Sequence, residues 1–304
     1  IKPRLKSTDQ FIKELESLYS TGWRGSVFIV DDNFIGNRRV LKEELLPALI
    51  DWANRHEHPF EYITEASIEL ADDEELMELM VEAGFRMIFV GIETPDEASL
   101  EECSKNQNRR RDMLKSVRIM QRKGLNISGG FIVGFDHDSP ATFDSQIQFI
   151  QQSGITTAMV GMLNALPLTR LAERLKKENR LVSDWTGNNV DSGLNFIPRM
   201  NQQTLVEGYK TILRTIYSQK AYFERIITFL KEYKKPRRAG KGTGFREIKA
   251  FLRALIHLGL LEKGRLYFWK LMAHVLRNYP EKFSFAMDLA IKGFHYRKVS
   301  ASIT

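Results

Sequence analysis

Short runs of apolar and β-branched residues alternate, over the first two thirds of the chain, with longer stretches whose apolar positions recur every three to four residues. That alternation is the pattern of strand–helix units feeding a parallel sheet. Strands are expected at SVFIVDD (26–32), FEYITEAS (60–67), FRMIFVGIE (85–93), ISGGFIVGF (127–135) and TTAMVGML (156–163). A helix precedes the first of them, DQFIKELESLYSTGW, and helices follow through VLKEELLPALIDWANRH, EELMELMVEAG, RRDMLKSVRIMQRKG, TFDSQIQFIQQSG and TRLAERLKKEN. Asp72 and Asp73 supply an N-cap signal before the third of these helices, and Gly84 a stop after it.

Because a helix comes first, the series implies a strand upstream of Ile1, and the chain reads as a fragment of a six-unit barrel or open sheet. All strand C-termini then lie along one rim, where such folds bind ligands. From about residue 200 the strand signal ends. TLVEGYKTILRTIYSQKAYFERIITFLKEY is helical, KKPRRAGKGTG (234–244) is a basic, Gly-containing linker, and FREIKAFLRALIHLGLL, RLYFWKLMAHVLRNY and EKFSFAMDLAIKGF give three more helices.

Composition narrows the chemistry. The 304 residues, 43% hydrophobic and 27% charged, are those of a globular protein, with no apolar run near the length of about 20 residues that spans a bilayer. IKPRLKSTDQ lacks the apolar core of a secretory signal. Cys103 is the only cysteine, which excludes an intrachain disulfide and any thiolate metal site built from this chain, and fits a reducing, cytoplasmic setting. The net charge of +7 favours anionic partners in general.

Candidate functional groups are sought at the strand ends. Asp31, Asp32 and Asn33 form a polar cluster suited to an ammonium group. Glu65 ends the second strand between Thr64 and Ser67, and Glu93 ends the third, where a carboxylate can accept from paired ribose hydroxyls and Gly91 admits a close ligand. Gly129, Gly130 and Gly134 lie in or just after the fourth strand, and Gly161 in the fifth before the Pro167 turn, positions that suit close backbone approach.

As an ordered set, VDDNF, TEAS, VGIETPDEASL, GGFIVGF and the ALPLTRL turn resemble the second to sixth units of a radical S-adenosylmethionine (SAM) enzyme over residues 1–200. The resemblance is to the branch with an upstream cobalamin-binding domain and a helical C-terminal extension, which includes hopanoid methylases and bacteriochlorophyll side-chain methylases. It implies an α/β fold: a partial TIM-like (βα)6 radical SAM barrel over 1–199 that lacks its first unit, followed by an all-helical region over 200–304. It places Asp31, Asp32 and Asn33 at the methionine ammonium of SAM and Glu93 at the ribose. Gly130 to Gly134 then line the adenine, with Glu65 and Gly161 on the same rim. Leu168 stands after Pro167 where relatives often carry Gly, and Ser67 stands where many have Arg. The cluster motif CxxxCxxC is missing, and Cys103 cannot replace it.

The implied function is that of a piece of a cobalamin-dependent C-methyltransferase acting on a hydrophobic substrate at an unactivated carbon. SAM would be bound by this chain, whereas the 4Fe-4S cluster and cobalamin belong to the full-length parent. The alternative is an inactive barrel that serves as a binding or scaffold module. Nucleic-acid binding through Lys234, Lys235, Arg237, Arg238 and Lys241 is not expected, because no RNA-binding module accompanies them. His56, His58 and His137 show no metal-ligand spacing, so a metal or acid–base role for the carboxylates is not favoured. Residues 265–298 alternate aromatic and aliphatic side chains with Lys and Arg on helical patterns, which suggests peripheral membrane contact.

Overall fold

A computed structural model describes residues 6–183, 193–236 and 245–304 of the chain. Ile1 to Leu5, where the upstream strand would join, and residues 237–244 of the basic linker lie outside the described residues. α1 (Thr8–Ser20) opens with Ser7 as its N-cap, whose Oγ accepts the Gln10 N–H at 3.2 Å. β1 (Ser26–Ile29) leads through a 3-10 turn (Phe34–Asn37), a helical turn (Arg38–Val40) and a π-turn (Leu41–Leu45) into α2 (Leu46–Arg55). Next come β2 (Glu61–Glu65), α3 (Glu74–Ala83), β3 (Phe85–Glu93), α4 (Glu97–Glu102), α5 (Met113–Lys123) and β4 (Asn126–Val133). α6 (Pro140–Ser153), β5 (Thr157–Met162) and α7 (Arg170–Lys177) complete the alternation. Beyond α7 the described elements are an isolated antiparallel bridge, Leu181 to Phe196, and helices: α8 (Gln202–Ile216), α9 (Gln219–Glu232), α10 (Phe245–Ile256), α11 (Arg265–Asn278) and α12 (Phe283–Ile303).

The strands form one sheet in the order β1-β2-β3-β4-β5, and β1, β2 and β3 pair in parallel with Ile29 opposite Thr64 and Glu65 opposite Phe89. The expected strand at 26–32 stops at Ile29 because the Asp31 carboxylate accepts the Asn33 N–H at 3.3 Å, replacing the ladder with a side-chain turn. As expected, Asp73 caps α3, its Oδ1 accepting the Leu76 N–H at 3.1 Å. The stretch after residue 202 is two helices rather than one. The Ile216 carbonyl, which would continue the first, instead accepts from Arg225 Nη1 at 2.8 Å.

Backbone contacts group the chain into two units that interleave along the sequence: Ile1–Gly91 with Asp112–Ser128 and Phe229–Ala250, and Ile92–Arg111 with Gly129–Thr228 and Phe251–Thr304. The first unit buries Leu46, Leu49 and Trp52 of α2 and Leu76, Met77 and Met80 of α3. Trp52 stacks on Phe60 at 5.4 Å and Tyr62 meets Phe85 at 5.3 Å between ring centroids. Each such side chain contributes about 1.5 to 3 kcal/mol on burial. The second unit buries Phe131, Ile150, Ile155 and Ile212, and the Tyr217 hydroxyl exchanges hydrogen bonds with both backbone groups of Ala158, at 2.7 and 3.2 Å.

Candidate functional site

Each of the strands β2, β4 and β5 has one fully buried face and one more open face, because successive side chains point to opposite sides. β3 follows the same alternation from Ile88 onward. Glu65 on β2, Gly91 and Glu93 on β3, Gly130 on β4 and Gly161 on β5 all fall on the open face of their own strand. The burial pattern thus places these five on the more open face of their strands, whereas Gly129 falls on the buried face of β4.

In the first unit, Asp31 and Asp32 are exposed on the loop after β1. Asn33 ties that loop to the end of β2, its Oδ1 accepting the Ser67 N–H at 3.0 Å. The exits of β1 and β2 are thereby held together, with Glu65, the last residue of β2, half-buried beside Thr64. Thr64 is fully buried and satisfied, its hydroxyl donating to the Ile29 carbonyl at 3.0 Å. Ser67 contributes only a backbone N–H and a short side chain to this corner.

In the second unit Glu93 has φ of +64° and sits at the centre of a three-residue turn, with the Thr94 N–H bonded to the Ile92 carbonyl at 2.9 Å. A γ-turn of this hand is rare and strained, and a branchless residue would adopt it at lower cost. The strain is held in place from several sides. Asn108 Nδ2 donates to the Ile92 carbonyl at 3.0 Å, Thr94 Oγ1 accepts the Asp96 N–H at 3.2 Å, and Asp96 caps α4 through the Ser99 N–H at 2.8 Å. The Glu93 side chain is 14% exposed and its Oε1 lies 2.7 Å from Lys105 Nζ. Lys105 does not exhaust a carboxylate, which has about four acceptor sites.

The exit of β4 is built around Asp138. This buried carboxylate accepts from the Gly134 and Phe135 N–H groups at 2.7 and 3.1 Å and from Ser99 Oγ at 2.9 Å. Burial pushes its pKa up against the pull of those three donors. Gly134 has φ of +108°, and an added Cβ there would meet Leu205 Cδ2 at 3.3 Å, so glycine is needed for the turn itself. Gly129 is required for a different reason: a Cβ there would meet Phe131 Cε2 at 2.8 Å, so its role is internal packing.

Sequence reasoning missed the next layer. Asp136 receives Arg180 Nη2 and Arg174 Nη1, both at 2.6 Å, and Arg199 Nε lies at 3.5 Å. Burial raises the Asp136 pKa, but the hydrogen bonds and charges of Arg180 and Arg174 outweigh it and hold the carboxyl below its ordinary value. Glu102 bridges Arg174 at 3.0 Å and His137 at 2.9 Å. No spacing rule finds this network, because its members come from α4, the β4 exit, α7 and two loops. No spacing rule marks Lys105 or Asp138 either, although both act on strand-exit residues, Glu93 and Gly134.

Cys103 caps the short helix α4 rather than lying in an open loop, with its thiol directed at the Leu100 carbonyl at 3.6 Å. Burial pushes that thiol up, away from the thiolate a metal requires. Among the described residues no group of three or more His, Cys, Asp or Glu side chains could hold a metal ion. The residues present therefore do not fit an iron–sulfur cluster. They do offer carboxylates and a glycine turn of the kind that hold ammonium, ribose and base.

Comparison with known proteins assigns the class. Residues 1–150 match the radical SAM superfamily, and the chain belongs to it. Residues 169–304 match a domain of unknown function, DUF4070. An uncharacterized methyltransferase of Synechocystis sp. is 41% identical over 298 residues, covering 97% of this chain and 55% of its own length. The hopanoid C-2 methylase of Rhodopseudomonas palustris is 36% identical over 275 residues, covering 88% of this chain and 51% of its own. The chain thus spans about half the length of these relatives. The radical SAM methyltransferase TsrM of Kitasatospora setae, solved with cobalamin and a 4Fe-4S cluster bound, superposes with a TM-score of 0.58 at 14% identity. That match covers 95% of this chain and 56% of TsrM and establishes a shared fold.

Proposed function

We propose that this chain is the SAM-holding part of a cobalamin-dependent radical SAM C-methyltransferase whose substrate is a hydrophobic, lipid-like small molecule. Residues 1–199 supply the barrel part and 200–304 the helical extension. The observation that carries the reading is Glu93: a carboxylate kept in a strained left-handed turn, at a strand end, on the open face of β3.

In this reading Asp31 and Asp32 receive the methionine ammonium, and Asn33 holds their loop against the exit of β2. Glu65 adds an acceptor at that exit, and Glu93 accepts from the ribose hydroxyls with Lys105 fixing its rotamer. Gly130, Gly134 and Gly161 leave room for the adenine, the Gly134 turn being set by Asp138. When bound, SAM supplies the radical chemistry of the family. The cluster and the cobalamin are held by parts of the parent polypeptide other than the residues described here, since one buried thiol cannot replace a cysteine triad. The relatives named as methylases at 41% and 36% identity support methyl transfer as the outcome.

Calorimetry with SAM on the anaerobically purified parent polypeptide tests the assignment. Glu93→Ala is expected to weaken SAM by about 1 to 3 kcal/mol, the usual effect of removing a charged acceptor from buried hydroxyls. Unchanged affinity in a variant with native circular dichroism would remove Glu93 from the site.

A further inference from the structure

Among the described residues, the second unit carries an extended exposed apolar surface. It lies on the helical hairpin of residues 251–278, formed by α10, a π-turn (His257–Leu261) and α11. On the first arm Leu252, Ile256 and Leu260 recur every fourth residue and are exposed. On the second, Leu266, Trp269 and Leu276 form a stripe on the side away from the buried Phe268, Leu271, Met272 and Val275. Trp269 ties the second arm to the π-turn, its Nε1 donating to the Gly259 carbonyl at 2.9 Å. The π-turn makes room for one extra residue per turn, so Leu260 and Leu261 are both exposed at the hairpin tip, the latter at 67% and Leu266 beside it at 70%.

The charge around these stripes is of one sign. Arg253, Lys263, Arg265, Lys270 and Arg277 are all exposed, and none is ion-paired among the described residues. The single acid of residues 251–278, Glu262, is held by Arg297 at 3.1 Å. No helix among the described residues is long and apolar enough to cross a membrane. By contrast α12, which the sequence pattern had joined to the same surface, buries Ala286, Met287, Leu289 and Ala290, so the surface is 251–278 and not 265–298.

We propose that this hairpin docks on an anionic lipid bilayer, its leucines and Trp269 entering the headgroup boundary and its five cations meeting lipid phosphates. Exposed apolar stripes flanked by unpaired Lys and Arg, with an aromatic residue at the boundary, are the composition of a helix resting on an anionic membrane. A second copy of the chain fits poorly, because a two-fold interface here would set five unpaired cations against the same five. The proposal stands on the hairpin's own residues and does not depend on the reaction assigned above.

Co-sedimentation of the full chain with sucrose-loaded vesicles tests it, using phosphatidylcholine alone and equal parts phosphatidylcholine and phosphatidylglycerol. Binding to the mixed vesicles is expected to be about tenfold or more stronger than to phosphatidylcholine and to fall with added salt. The double variant Leu261→Asp with Leu266→Asp, both at exposed positions, should lower it about tenfold further, and Lys263→Glu with Lys270→Glu should do the same without touching an apolar residue. Absence of binding to the mixed vesicles, or equal binding by both double variants at native circular dichroism, overturns the proposal. So does a wild-type chain that binds no vesicles but self-associates through the same leucines in sedimentation velocity.

Discussion

Single residues carry most of the chemical information, and the strained ones are the least visible beforehand. Glu93 was found as a strand-end carboxylate, but nothing in VGIET announces a positive φ, which depends on the Asn108 and Thr94 bonds around it. Leu168 shows the opposite case. Its φ of +63° and 97% exposure put it where glycine would sit more easily, since a leucine in the left-handed region pays about 1 to 2 kcal/mol in sterics. Asp136 gives the residue-scale prediction. Its carboxyl is held below the ordinary value of 3.8, so the folded state gives up the proton more readily than the unfolded one. The stability this contributes is present above that value and is lost as pH falls through the depressed one. Asp138 acts with the opposite sign: its raised pKa favours the fold at low pH, and that contribution fades as pH rises above 3.8. Asp136→Asn should therefore cost about 1 to 3 kcal/mol near neutrality and flatten the loss of stability on acidification, read by urea melts between neutral and acid pH. Equal acid sensitivity in the variant would mean that the arginine cluster does not set the acid limb.

At the scale of elements, periodicity located all five strands, with β3 matching from Phe85 to Glu93, because a buried face and an open face alternate along them. Boundaries failed where side chains took over from the backbone. The Asp31 turn shortened β1, and the helix expected across 204–233 broke at Tyr217 because a residue eight positions further on caps its end. That residue is Arg225, fully buried, with its guanidinium 5.1 Å from the Tyr222 ring and 5.5 Å from that of Tyr217. Nη1 also donates to Gln151 Oε1 at 2.6 Å, but among the described residues Nε and Nη2 have no hydrogen-bond partner and no carboxylate forms an ion pair with it. Burial lowers its pKa accordingly. A charge so placed costs desolvation that two rings and two acceptors offset only in part. Arg225→Met, which keeps an unbranched apolar stem and removes the charge, should change stability by less than about 1 kcal/mol or raise it, whereas Arg225→Ala should lower it by about 2 to 4 kcal/mol through the cavity left behind. Equal losses in both variants by thermal melting would show that the charge itself is needed there.

At the scale of the whole molecule, the chain combines a superfamily whose reaction depends on an iron–sulfur cluster with a donor set that cannot bind one. Cys103 is capped onto the end of α4, its thiol raised by burial and aimed at a backbone carbonyl, and among the described residues no three His, Cys, Asp or Glu side chains are grouped so as to hold a metal ion. A four-iron cluster requires thiolates converging within bonding distance, and a single buried thiol offers neither the number nor the charge state. Anaerobic reconstitution of this chain with iron and sulfide should therefore leave less than about 0.1 cluster per chain, and Cys103→Ala should not change that figure. SAM should still bind through the strand-end carboxylates, only weakly, because the metal anchor for its methionine end is absent. A stoichiometric cluster with the optical and paramagnetic signature of the four-iron form, lost on Cys103→Ala, would show that α4 unwinds to expose its thiol and that ligands from a second source complete the site. Iron content near zero together with weak, Glu93-dependent SAM binding is the pattern expected of a chain that holds SAM through its strand-end residues without the metal anchor.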